Sequence, residues 1–153
     1  MSMFYAPVDT ATKRPVFQTL TSMSLVLLGV ALVWSLADPR SLDGVGVWVK
    51  PAKFALSFVI HFGTMALIVS ALSARAQKSW PIRIAASLMA IAFLSEMGYL
   101  FFQAAQAQHS HFNLSTPFHQ MAYQLMGVGA VLLVGLPVLV AWVARRDAMT
   151  GMG

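Results

Sequence analysis

Glu96 is the one acidic residue inside an apolar stretch of this chain; nearly every neighbour over 82–107 is Ala, Ile, Leu, Met or Phe. An ionisable group held in hydrocarbon is costly and marks a working site by default. A second such group is His61, inside another apolar stretch. A carboxyl and an imidazole placed together can pass a proton at accessible pH. The other expectation for Glu96 is plainer, a neutral acid bonding two helices together.

The polar residues around these two follow helical spacing. Lys53, Ser57, His61 and Thr64 lie four, four and three apart; Glu96, Tyr99, Gln103 and Gln106 lie three, four and three apart. His119 and Tyr123 are four apart, with the small Gly127 one turn further. Each set therefore forms a stripe on one helix face. In lipid such stripes are expected to turn inward, toward other helices or a wet cavity. At 1.5 Å per residue, His61 is roughly 15 Å below Pro51 and Glu96 roughly 16 Å below the end of its own helix. Equal depth predicts a pocket of His61, Glu96, Tyr99, Gln103, Gln106 and Tyr123, with Lys50, Lys53 and Asn113 at its mouth.

His109, His111 and His119 also fall at that mouth. A His-x-His pair with a third imidazole can bind copper or zinc, and Met97, Met121 and Met126 add soft ligands that would favour copper. Haem needs two axial ligands at one level from opposite sides. His119 sits roughly 12 Å shallower than His61, so the pair that matches in depth is His61 with Met126, a ligation type known in cytochromes.

These stripes require elements to hold them. Of 153 residues, 58% are hydrophobic and 10% charged, against about 25% charged in a soluble domain. The apolar residues fall into four blocks of roughly twenty, the length that crosses about 30 Å of hydrocarbon. The fold predicted is an all-α integral membrane protein, a bundle of four transmembrane helices over about 17–37, 51–72, 81–107 and 117–143, within a domain of 17–146. Residues 1–16 and 147–153 are read as cytoplasmic tails. Asp38-Pro39 stops the first helix. Pro51 and Pro81 suit first turns, and Thr116-Pro117 reads as a cap followed by a first-position proline. Gly135 and Pro137 are expected to bend the fourth helix.

Lys13, Arg14, Arg75, Lys78, Arg83, Arg145 and Arg146 lie toward one side, and Arg40, Lys50 and Lys53 toward the other. Seven against three places both termini in the cytoplasm of a bacterial-type inner membrane. Trp34, Trp48, Trp80 and Trp142 all fall at predicted interfaces. The net charge of +5 is spread singly or in pairs at span ends, where it meets lipid headgroups rather than nucleic acid. With no cysteine, thiolate metal sites, disulfides and iron–sulfur clusters are excluded. Walker, dinucleotide-binding and His-Glu-x-x-His motifs are absent, as is a serine in a nucleophile elbow.

The function expected is an outward-facing polar pocket for a small ligand or for proton-coupled transfer. The competing expectations are a redox protein holding haem, copper or a quinone, and an accessory subunit. The bilayer is the first partner implied; a homodimer or a larger membrane complex is the second, because four helices leave little room for a transport path.

Overall fold

The structure, a computed structural model, describes residues 16–151. The tail predicted at 1–16, with Lys13 and Arg14, lies outside the described residues apart from Val16, as do the last two residues of the 147–153 tail. Four long helices carry the fold: α1 (Val16–Ala37), α2 (Val49–Ser70), α4 (Trp80–Ala105) and α5 (Pro117–Thr150), with a single helical turn α3 (Ala74–Gln77) between α2 and α4. All four are long and apolar enough to cross a membrane. Their outer surfaces are apolar too; Leu36 is 91% and Val134 78% exposed. A soluble bundle buries such side chains, so this exterior is built to face lipid.

The chain goes up, down, up and down. α1 packs along α2, and α4 along α5. The two pairs meet at a seam of rings on α2 and α4. Phe93 stands edge-on to Phe58 at 5.0 Å and to Phe62 at 5.3 Å, and Phe58 stacks on Phe62 at 5.6 Å. Met89, Ala85 and Ala55 fill the space around them. Large rings alternating with the small Ala55 and Ala85 let the two pairs interdigitate.

A short β-hairpin caps one end of the bundle. β1 (Ser41–Leu42) pairs antiparallel with β2 (Val45–Gly46), with Ser41 opposite Gly46. Asp43 and Gly44 make the turn at φ of 52° and 77°. Two successive positive φ values are what a two-residue hairpin requires, and Asp-Gly supplies them at low cost. Asp38 anchors the hairpin. Its carboxylate accepts from Trp48 Nε1 at 2.8 Å and pairs with Arg40 at 2.7 Å, while Arg40 also donates to the Ala105 carbonyl at the end of α4. These partners hold the Asp38 carboxyl well below the usual carboxylate range, Arg40 first and Trp48 second. Trp48 stacks on Trp34 and meets Phe101 edge-on. It stands at the start of α2 and is buried, unlike Trp34, Trp80 and Trp142, so it also anchors the hairpin.

The opposite end is closed by the turn holding α3. Ser73 donates from its backbone N and its hydroxyl to the Asp147 carboxylate, at 2.7 and 2.6 Å. That contact explains why α5 continues past Arg145-Arg146 to Thr150, beyond the predicted end near 143: its last turns are tied to the α3 turn. Arg146 also lies 3.9 Å over the Trp142 ring, a favourable cation–π placement. α5 runs through Pro137 as one continuous helix.

Candidate functional site

Beneath the hairpin is a cavity of about 220 Å³. Its walls come from four segments: Lys50 at the start of α2, Gln103 near the end of α4, Asp43 and Gly46 of the hairpin, and His109 and Ser110 of the segment 106–116. Pro51 and Leu100 give it an apolar floor.

Lys50 Nζ lies 2.9 Å from His111 Nδ1. An ammonium only donates, so that nitrogen is the acceptor and the imidazole is neutral. Burial, and then the Lys50 charge, push the His111 pKa below the usual histidine value, in agreement with that tautomer. The Ser110 hydroxyl lies 3.2 Å from the same nitrogen. Among the described residues no carboxylate pairs with Lys50.

On the facing wall, Gln103 is 1% exposed. Its amide nitrogen donates to the His109 carbonyl at 2.7 Å and to the Tyr99 hydroxyl at 3.2 Å. Tyr99 Oη in turn lies 3.0 Å from His119 Nδ1. The Thr116 hydroxyl caps α5 by accepting from His119 N, which fixes the histidine at the first turn. Gln103 Oε1 is buried and has no partner. A buried acceptor in that state is costly unless something donates to it.

Several predicted site residues therefore meet here, and others do not. Tyr99, Gln103 and His119 form one chain of hydrogen bonds, and Lys50 lines the cavity beside them. Tyr123 packs its ring on Phe112 at 5.2 Å and near His111 at 6.3 Å. Asn113 closes a local turn, donating to the His109 carbonyl and accepting from Ser115. Gln106 is exposed, 3.5 Å from its own-turn carbonyl at Phe102. Lys53, Ser57 and Thr64 are exposed on the outer face of α2, not turned inward as expected. Their chemistry allows this: Ser57 and Thr64 donate to the carbonyls of Lys53 and Ile60 one turn back. A hydroxyl so satisfied carries little penalty in lipid, and a lysine near a helix end reaches for headgroups.

The histidines do not converge. His109 reaches Asp43 at 3.4 Å, His111 holds Lys50, and His119 holds Tyr99. Among the described residues no three metal-binding side chains gather. Met97 and Met126 are buried in the apolar core, and Met121 is exposed.

Glu96 and His61 sit deeper. Glu96 is 4% exposed, and its Oε1 is buried without a partner. His61 is half-buried, with Nε2 likewise buried and unpartnered. No hydrogen bond or ion pair joins the two, so the predicted pair is not formed. What Glu96 does touch is Gly129 of α5. A Cβ at that glycine would stand 2.8 Å from Oε1. Sequence reasoning singled out Gly127, which has open space around it, and passed over Gly129. Local spacing gave no signal for it: ten residues separate Gly129 from His119, which puts the two roughly 80° apart around α5. Asp43 and Gly46 of the hairpin and Ser110 of the segment 106–116 were also missed, because periodicity does not reveal the turns that bring them to the cavity.

No protein-family model, curated protein or solved structure matches this chain.

Proposed function

We propose that the chain is a multi-pass protein of a bacterial-type inner membrane, with both termini cytoplasmic, whose hairpin-end cavity faces outward and binds a small carboxylate. The distribution of basic residues supports the orientation. The single observation that carries the ligand class is Lys50, a positive charge lining the cavity with no carboxylate partner. A half-buried ammonium whose one protein partner is a neutral imidazole draws a counter-ion. Ser110 and His109 on the same lining add polar groups for a hydroxyl or amine on that ligand. At about 220 Å³, the space falls below the roughly 300–1,000 Å³ of pockets that hold drug-sized molecules, so the ligand is short.

The test is thermal stabilisation of detergent-purified protein by a panel of short mono- and dicarboxylates. A subset should raise the melting temperature. Lys50→Met should erase the effect, whereas Lys53→Met should not. Equal responses in wild type and Lys50→Met would end the proposal.

A second reading draws on the exposed α2 stripe of Lys53, Ser57 and Thr64. Polar groups on an outward face suit a neighbouring helix, from a second copy or from a larger complex. Cysteine crosslinking at position 57 in native membranes checks it; a monomer that never crosslinks would remove this reading.

A further inference from the structure

Glu96 has no part in the cavity, yet the fold makes room for it. Its carboxyl rests directly on the α5 backbone at Gly129. A methyl group there would meet Oε1 at 2.8 Å, Cγ at 3.6 Å and Ala92 Cβ at 3.7 Å. Every other residue type would press on the carboxyl. A carboxyl that served as glue between helices would bond to the neighbouring helix, and among the described residues Oε1 of Glu96, the oxygen that rests on α5, has no hydrogen-bond partner on the protein. The notch houses an acid without engaging it.

Helical register links this acid to the cavity. Gln103 lies seven residues above Glu96, two turns, so both point along nearly one line with Tyr99 between them. On α2, His61 lies eleven residues below Lys50, three turns, so it too lies nearly on one line. Lys50 and Gln103 line the same cavity. Beneath that pair stand the two buried orphan atoms, His61 Nε2 and Glu96 Oε1. Phe93 touches both Phe58 and Phe62, which sets Glu96 and His61 within about one turn of each other in height.

The surrounding charge is sparse. α1 has no charged residue, and α5 has no titratable group between Tyr123 and Arg145. α4 offers only Tyr99 above and Arg83 far below. From α2 come His61 at this depth and Lys50 and Lys53 at the hairpin end. His61 is thus the one group at this depth that can carry a positive charge opposite a negative one on Glu96.

We propose that Glu96 is a proton site inside the membrane, housed by the Gly129 notch and exchanging with the hairpin-end cavity past Tyr99 and Gln103. In the exchange the carboxylic O–H bond breaks, its proton passes to a base lining the cavity, the Asp43 carboxylate or the His109 imidazole, and the carboxylate left behind lies within about one turn of His61 in height. The return step restores the O–H bond. This site stands whether or not the cavity binds an anion.

Infrared spectroscopy of the full-length protein in liposomes tests it. Raising the pH should remove one protonated-carboxyl stretching band reversibly, and that band should be missing from Glu96→Gln. Glu96→Asp should keep a titrating band, which controls for misfolding. Gly129→Ala should shift the band's frequency, because the added methyl displaces the group. Gln103→Leu should slow deuterium exchange of the carboxyl without reducing the band. A Glu96 band that never titrates, or one identical in Glu96→Gln, overturns the site; unchanged exchange in Gln103→Leu overturns the route. Lys50→Met separates the two readings: it should abolish carboxylate binding and leave the Glu96 band in place.

Discussion

Replacing Gly129 with alanine gives the sharpest check on how α4 and α5 fit. The new Cβ would lie 2.8 Å from Glu96 Oε1, whereas non-bonded atoms rest at about 3.5 Å. The carboxyl must therefore move by roughly 0.7 Å. It sits at the end of a flexible side chain, so it can swing rather than force the helices apart, at roughly 0.5–1.5 kcal/mol for an off-rotamer torsion and up to about 3 kcal/mol if the surroundings resist. Alanine also gains about 1 kcal/mol over glycine in a helix. The single substitution should thus cost between about 0 and 2 kcal/mol. In a Glu96→Ala background the obstruction is gone and only the gain remains, so Gly129→Ala should stabilise by up to about 1 kcal/mol. The coupling between the two sites, about 1–3 kcal/mol, is read from a double-mutant cycle of reversible unfolding in mixed micelles. If Gly129→Ala has the same effect in both backgrounds, the carboxyl does not rest on Gly129 and the notch has no role.

Three further outcomes follow from the hairpin end and from α2. Tyr99→Phe removes the hydroxyl that lies between Gln103 and His119, and should lower stability by about 1–2 kcal/mol in the same unfolding assay; an unchanged midpoint would mean that the chain of bonds is idle. His111 is held below the ordinary histidine pKa by burial and by Lys50, so its docked form stays neutral where a free imidazole would be protonated. Docking of the segment 106–116 should then weaken as pH falls through about 6.5. Amide hydrogen exchange over 108–112, corrected for intrinsic rates, should rise on the acid side and lose that dependence in His111→Asn; equal protection on both sides would refute it. Ser57→Ala and Thr64→Val should each change stability by less than about 0.5 kcal/mol, since both hydroxyls bond only to their own helix, and a loss above about 2 kcal/mol would show that they face a partner.

The four spans were legible because length and apolarity leave few alternatives. The direction of a polar stripe was not. The set on α4 turns inward at Glu96, Tyr99 and Gln103, while the set on α2 with the same periodicity turns outward at Lys53, Ser57 and Thr64. Periodicity reports that residues share a face; it does not report which face is buried. The deciding difference is chemical. A carboxylate cannot donate to a carbonyl of its own helix as a hydroxyl can, so serine and threonine are free to face outward; Gln106, whose amide reaches the Phe102 carbonyl one turn back, is exposed in the same way. The histidine cluster failed for another reason. Nearness in sequence put His109, His111 and His119 at one mouth, but each ring found a different partner, because Asp43, Lys50 and Tyr99 arrive from three separate segments. Long-range arrivals of that kind leave no trace in local spacing.

The same distinction explains why the cavity sits under the hairpin. Within a span, polar groups must be satisfied by protein or pay a large penalty; at the end of the bundle, backbone can leave the helix and line a recess. Asp43-Gly44 turns the chain back over α2, Arg40 fastens it to the last carbonyls of α4, and Trp48 is buried beneath it. The two-residue turn fixes the strand register, and the Arg40 and Trp48 contacts hold the hairpin over the recess. Lys50 then enters from one helix and Gln103 from another, each on a line that continues down to a deeper ionisable group. A charge bound at the top and a proton bound below would share the low-dielectric space between α2, α4 and α5, where interactions between charges are stronger than in water. Occupancy of one must then alter affinity for the other, and by the same factor in both directions.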